Sequence, residues 1–261
     1  MSTLDSKQNS LAYHWPSLIY LCKWILLCSI IGTVVGSASA GFLISLEWVT
    51  QYREAHIWLI ALLPLAGLGI GLLYHYYGKS VEAGNNLLID SIHHPAHTIP
   101  FRMAPFVYLG TMVTHLFGGS AGREGTALQM AGGLMDPIGR WLKLGDEDRR
   151  VLLIASIAAG FGSVFGTPLA GAVFSMEFFL TGRIRYNAIF PAFLAAIIAN
   201  YVTLLWPAQH THYSIGSVPT VNALNLLYSL LAGIAFGFCA LLFSKTMHGL
   251  TAFFKSKISR S

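Results

Sequence analysis

Gly118 to Thr126 reads GGSAGREGT and opens a short stretch running through Leu134, while Phe161 to Gly171 reads FGSVFGTPLAG and breaks an uncharged segment at Gly166, Thr167 and Pro168. Proline suits the first turn of a new helix and discourages continuation of the old one. A third polar, glycine-containing start, EAGNN at Glu82 to Asn86, opens the amphipathic stretch Leu87 to His93. These starts predict half-length helices, too short for a hydrocarbon core that takes about 20 residues to cross. Non-helical backbone at membrane depth is tolerated only where protein buries it or a polar cavity borders it. Broken helices whose N-termini meet there make an anion site from free N–H groups and the positive end of the helix dipole.

Outside these stretches the chain reads as a membrane protein. Of 261 residues, 54% are hydrophobic and 10% are Asp, Glu, Lys or Arg, against about 25% charged in soluble domains; the mean hydropathy is +0.60. Trp24 to Leu46, Ala55 to Gly78, Val151 to Met176 and Tyr186 to Ser244 carry no charge, and each is long enough to span. The last holds two crossings joined by the polar link Pro207 to Asn222. The expected fold class is all-α and polytopic, with long tilted helices alternating with half-length broken ones. Residues 1–15 are expected to form a cytoplasmic N-terminal segment, and 16–261 a single transmembrane unit.

The net charge of +5 comes from basic residues beside apolar segments, with Lys7 and Lys23 around the first and Lys245, Lys255, Lys257 and Arg260 after the last. That is the pattern of topology signals, not of a nucleic-acid surface. Both termini are therefore expected in the cytoplasm, in a bacterial-type inner membrane. Cys22, Cys28 and Cys239 lie in apolar stretches and imply no disulfide framework. Gly32 and Gly36, Gly67 and Gly71, and Gly233 and Gly237 are spaced for close helix packing.

Most of the 11 acidic residues, Asp136 among them, read as loop or segment-end positions. Glu124 and Glu177 do not. A charge at membrane depth costs roughly 2.5 to 3.5 kcal/mol on insertion scales, which makes each a functional candidate. A carboxylate at the helix start of Glu124 occupies the place an anion would take, and protonation would vacate it. The bland readings are a capping glutamate at Glu124, and at Glu177 a partner for Arg183 or a helix end.

GREGTALQ at Gly122 to Gln129, preceded by GGSA, resembles the GREG motif of the CLC family of chloride channels and anion/proton antiporters. AAGFGSVFGTPLAGAVFSMEF at Ala158 to Phe178 resembles that family's following helix pair, and AGNNLLIDSIH at Ala83 to His93 its first anion-binding helix. The resemblance implies a gate and proton-transfer role for Glu124. It implies an anion site at Gly84, Asn85, Asn86, Gly122, Arg123 and Gly125, and a second proton or structural site at Glu177. Asn85 in place of serine, and Phe178 in place of the internal proton acceptor, resemble the fluoride/proton-exchanging branch. By the same resemblance 16–205 corresponds to the first inverted repeat and 221–255 to the first helix of an incomplete second one.

The expected function is CLC-type transport of fluoride or chloride, proton-coupled and not enzymatic, needing no cofactor or metal. The expected partners are lipid, a halide and protons, with a homodimer or a complementing second-half subunit. A non-transporting assembly partner or truncated relic is the alternative. Two weaker readings are a serine hydrolase built on Ser120 with His115, and metal handling by His93, His94 and His97 or by His210 with His212.

Overall fold

The computed structural model describes residues 3–94, 96–178, 185–208, 210 and 214–258, and of residues 3–16, 178, 255 and 258 the backbone alone. The regular elements of these residues are helical: α1 (Thr3–Ala55), a 3-10 turn (Ile57–Leu62), α2 (Leu63–Tyr77), α3 (Asn85–His93), α4 (Met103–Leu116), α5 (Arg123–Trp141), α6 (Asp146–Phe165), α7 (Pro168–Phe178), α8 (Tyr186–Leu204) and α9 (Ala223–Ile258). Four stretches are long and apolar enough to cross a membrane: Ser17–Ala55, Ile57–Tyr77, Tyr186–Leu204 and Ala223–Phe254. At about 1.5 Å per residue, the nine residues of α3 cannot.

Two compact units result, Met1–His210 and Thr211–Ser261. In the first, α6 is the hub. Every residue from Val151 to Gly160 is buried, and α6 packs against α1, α5, α7 and α8. An all-round apolar surface demands such a central place, and Asp146, Glu147 and Asp148 in its first turn face the positive end of its dipole. Gly32 and Gly36 bring α1 onto α8, where a β-carbon would stand 2.4 Å from Ile198 Cγ2 and 2.5 Å from the Ala199 carbonyl oxygen respectively. By contrast Gly67, Gly71, Gly233 and Gly237 meet nothing within 4 Å. Spacing makes a close approach possible but does not supply the neighbour. In the second unit, Asn222 Oδ1 accepts from the Asn225 N–H at 2.8 Å and caps α9, whose described side chains are almost all exposed.

Two boundaries differ markedly from the sequence reading. Helix α1 starts at Thr3, because no proline or glycine interrupts the polar residues before Pro16. Helix α5 continues past Leu134 to Trp141 with Pro137 inside it. The reason is Asp136, which is not a loop residue but fully buried, at 0% exposure. Its carboxylate accepts from the Ile99 backbone N–H at 2.8 Å and from Arg149 Nε. Arg149, itself 5% exposed, also donates to the His97 carbonyl at 2.8 Å. The group ties α5, α6 and the 94–102 connection together and offsets the backbone bond lost at the proline.

Candidate site where two helix starts meet

The start of α3 is set by Gly84, whose φ of +57° is a backbone conformation that side chains rarely tolerate. The start of α5 is set by Gly122, with extended backbone and no side-chain cap. The two starts are adjacent. A β-carbon at Gly125, in the first turn of α5, would stand 3.6 Å from Asn85 Nδ2 at the first residue of α3. Gln129, one turn further along α5, donates from Nε2 to Asn85 Oδ1 at 3.0 Å and pins the junction.

Glu124 sits in the first turn of α5. Its Oε2 would be 2.8 Å from a β-carbon at Gly122, so the carboxylate folds back over the start of its own helix. In this chain Glu124, Gly122, Arg123 and Asn86 are exposed, while Gly84, Asn85 and Gly125 are half-buried. The Asn86 N–H is engaged by the Ala83 carbonyl at 3.1 Å, and the Leu87 N–H by that of Gly84 at 3.1 Å. The Asn85 Nδ2 group makes no hydrogen bond to protein among the described residues. The donors facing the junction are therefore this amide and the uncapped first turn of α5, where the dipole favours negative charge. Behind the turn, Thr126 Oγ1 donates to the Gly122 carbonyl at 3.1 Å and lies 2.7 Å from Thr111 Oγ1, fastening α5 to α4.

A break separates α6 from α7. Helix α6 stops at Phe165, Gly166 adopts φ +69°, its N–H bonds the Gly162 carbonyl, and Pro168 begins α7. Helix α7 folds back so closely that a β-carbon at Gly171 would stand 2.6 Å from Gly162 N. Glu177 lies near the end of α7, exposed, and joins no hydrogen bond or ion pair among the described residues. The Phe178 side chain, Arg183 and His212 lie outside the described residues.

The other chemistries find little support. Ser120 is exposed; His115 Nδ1 meets the Thr111 carbonyl at 2.9 Å, and no hydrogen bond joins Ser120 to His115 among the described residues. No group of three or more His, Cys, Asp or Glu able to hold a metal ion occurs among the described residues.

A family model described as voltage gated chloride channel matches residues 66–261. The chain belongs to this family. Its fold matches that of a CLC transporter: the crystal structure of a CLC-type fluoride/proton antiporter is similar to it with a TM-score of 0.77 and 32% identity over 84% of this chain and 55% of that one. The chloride/fluoride channel protein of Pseudomonas syringae pv. tomato is 52% identical over 94% of this chain and 54% of its own length. The H(+)/Cl(-) exchange transporter ClcA of Cronobacter sakazakii is 29% identical over 87% of this chain and 52% of its own length. The chain spans about half the length of these curated relatives. Like them it is an integral membrane protein, all-helical over the described residues.

Proposed function

We propose that this chain supplies one wall of an anion path through the membrane, for fluoride in preference to chloride, with Glu124 as a gate that trades places with the halide and takes up a proton when it leaves. The observation that carries this reading is the junction of two helix starts. Asn85 Nδ2 faces Gly125, and the Glu124 carboxylate folds over Gly122 at the uncapped start of α5. A charged carboxylate there competes with an anion for the same dipole and N–H groups. A protonated one does not. The names of the relatives, a chloride/fluoride channel protein and a fluoride/proton antiporter, support both the substrate class and the coupling.

Glu177 is proposed as a second proton or structural site, and the membrane as a bacterial inner membrane with both termini in the cytoplasm. The test is halide efflux from liposomes holding the full chain, with fluoride and chloride compared and Glu124→Gln and Glu124→Ala beside the wild type. Unchanged flux and unchanged pH dependence in both variants would remove Glu124 as the gate.

A second reading is favoured by one observation: the junction is exposed on the side where Glu124 and Asn86 lie. A complementing subunit or a second copy would cover that side, and the chain alone would then be a non-transporting assembly partner. Purification from native membrane with mass measurement separates the two. A larger membrane assembly and no flux from the isolated chain favour the partner reading.

A further inference from the structure

Gln129 and Asn85 stand 44 positions apart and meet through a single hydrogen bond, Nε2 to Oδ1 at 3.0 Å. The same Nε2 would lie 3.4 Å from a β-carbon at Gly84, so the glutamine amide is lodged against the left-handed turn that starts α3. An asparagine amide has one accepting face and one donating face. Because Oδ1 is held by Gln129, the donating face is the one left for a ligand. Nδ2 is also the closer of the two atoms to Gly125, 3.6 Å against 4.0 Å for Oδ1, measured to a β-carbon built there. A halide only accepts hydrogen bonds. An amide free to turn would offer it a donor in one orientation and a repelling oxygen in the other.

We propose that Gln129 is a positioning residue that locks the Asn85 amide with its donor toward the anion, and thereby sets the preference among halides at the junction of α3 and α5. The inference rests on the anion-path reading above. Fluoride, the smallest halide and the strongest hydrogen-bond acceptor among them, gains most from one fixed, correctly turned N–H group. The preference for fluoride over chloride then depends on a residue that does not itself touch the anion.

The test substitutes Gln129→Glu and Gln129→Met in the full chain. A carboxylate can only accept, so Gln129→Glu turns Nδ2 toward α5 residue 129 and Oδ1 toward the ligand. The methionine keeps the size and removes both polar atoms. Binding of sodium fluoride and of sodium chloride is measured by calorimetry on the detergent-purified protein, with thermal unfolding as the control for folding. The ratio of the two affinities is the readout, because an added charge scales both halides alike whereas a lost donor does not. The expected result is a fall of roughly tenfold in the fluoride-to-chloride ratio for Gln129→Glu and a smaller fall for Gln129→Met. An unchanged ratio in either folded variant, with wild type binding fluoride, overturns the positioning role and leaves the anion path standing. Wild type that binds neither halide overturns both.

Discussion

Helix α5 carries two carboxylates roughly three turns apart, and the chain treats them in opposite ways. Asp136 is fully buried and bonded on both oxygens, by Arg149 and by the Ile99 N–H. Glu124 is exposed at an uncapped helix start, held by no hydrogen bond among the described residues. The first is a fastener, with both oxygens bonded by the fold. The second is left free to move. What separates a structural acid from the one proposed as a gate on the same helix is not its depth in the sequence pattern but whether the fold has already given it partners.

The largest effect that would test this contrast comes from Asp136→Ala. Arg149, 5% exposed, would be left as a buried charge without its counterion, which costs about 3–5 kcal/mol. Thermal or denaturant unfolding in detergent should register a loss of that size. Combining Asp136→Leu with Arg149→Met should recover most of it, since an apolar pair can replace a buried ion pair at little net cost. A single variant as stable as wild type would mean that Asp136 is no fastener at all.

Next in size is the α1 to α8 contact. Gly36→Val would drive a side chain into the Ala199 carbonyl and Val202, 2.5 Å and 3.0 Å from the built β-carbon, and overpacking of this kind costs about 1–3 kcal/mol. The matching substitution Gly71→Val, where nothing lies within 4 Å, should cost under about 1 kcal/mol, near the range of ordinary surface changes. Equal destabilisation at the two positions would erase the distinction between a glycine that is used and one that is merely available.

These pairs mark how far the sequence could be read. The bounds of α3 and the break at Gly166 were legible because the determinants are local: a left-handed glycine, then asparagines, and a Gly-Thr-Pro run that can be nothing but a stop and a start. The far end of α5 was not. Asp136 before Pro137 has the appearance of a terminator, and what overrules it is an arginine from α6 and an N–H from the 94–102 connection, neither visible from the neighbours of Asp136. The same holds at the site. Glu124 and Asn85 stood out by type and place, while Gln129 lay inside the same motif without any local mark, because its role is a hydrogen bond to another helix.

The turn that starts α3 is a second point of sensitivity, at the junction itself. Gly84→Ala would force a β-carbon onto φ +57°, at about 1–3 kcal/mol, with the Gln129 amide 3.4 Å away. Unfolding should therefore show a loss below that of Asp136→Ala. Fluoride binding should fall by more than the stability change alone explains, because the turn also aims Asn85. If stability falls and binding does not, the turn shapes α3 without shaping the site.

Glu124→Gln is the substitution with the smallest expected effect on stability and the most specific effect on function. The side chain is exposed and has no partner to lose, so unfolding should move by no more than about 0.5 kcal/mol, as for surface changes generally. The amide keeps the size of the carboxylate and removes its charge, so it stops competing electrostatically with an anion at the start of α5 and can no longer take up or release a proton. Fluoride efflux from liposomes should then lose its pH dependence, while fluoride affinity rises because the resident negative charge is gone. A stability change as large as that of Asp136→Ala would place Glu124 with the fasteners. Retained pH dependence in a fully stable variant would move the titrating group elsewhere, with exposed Glu177 the next carboxylate to substitute in the same assay.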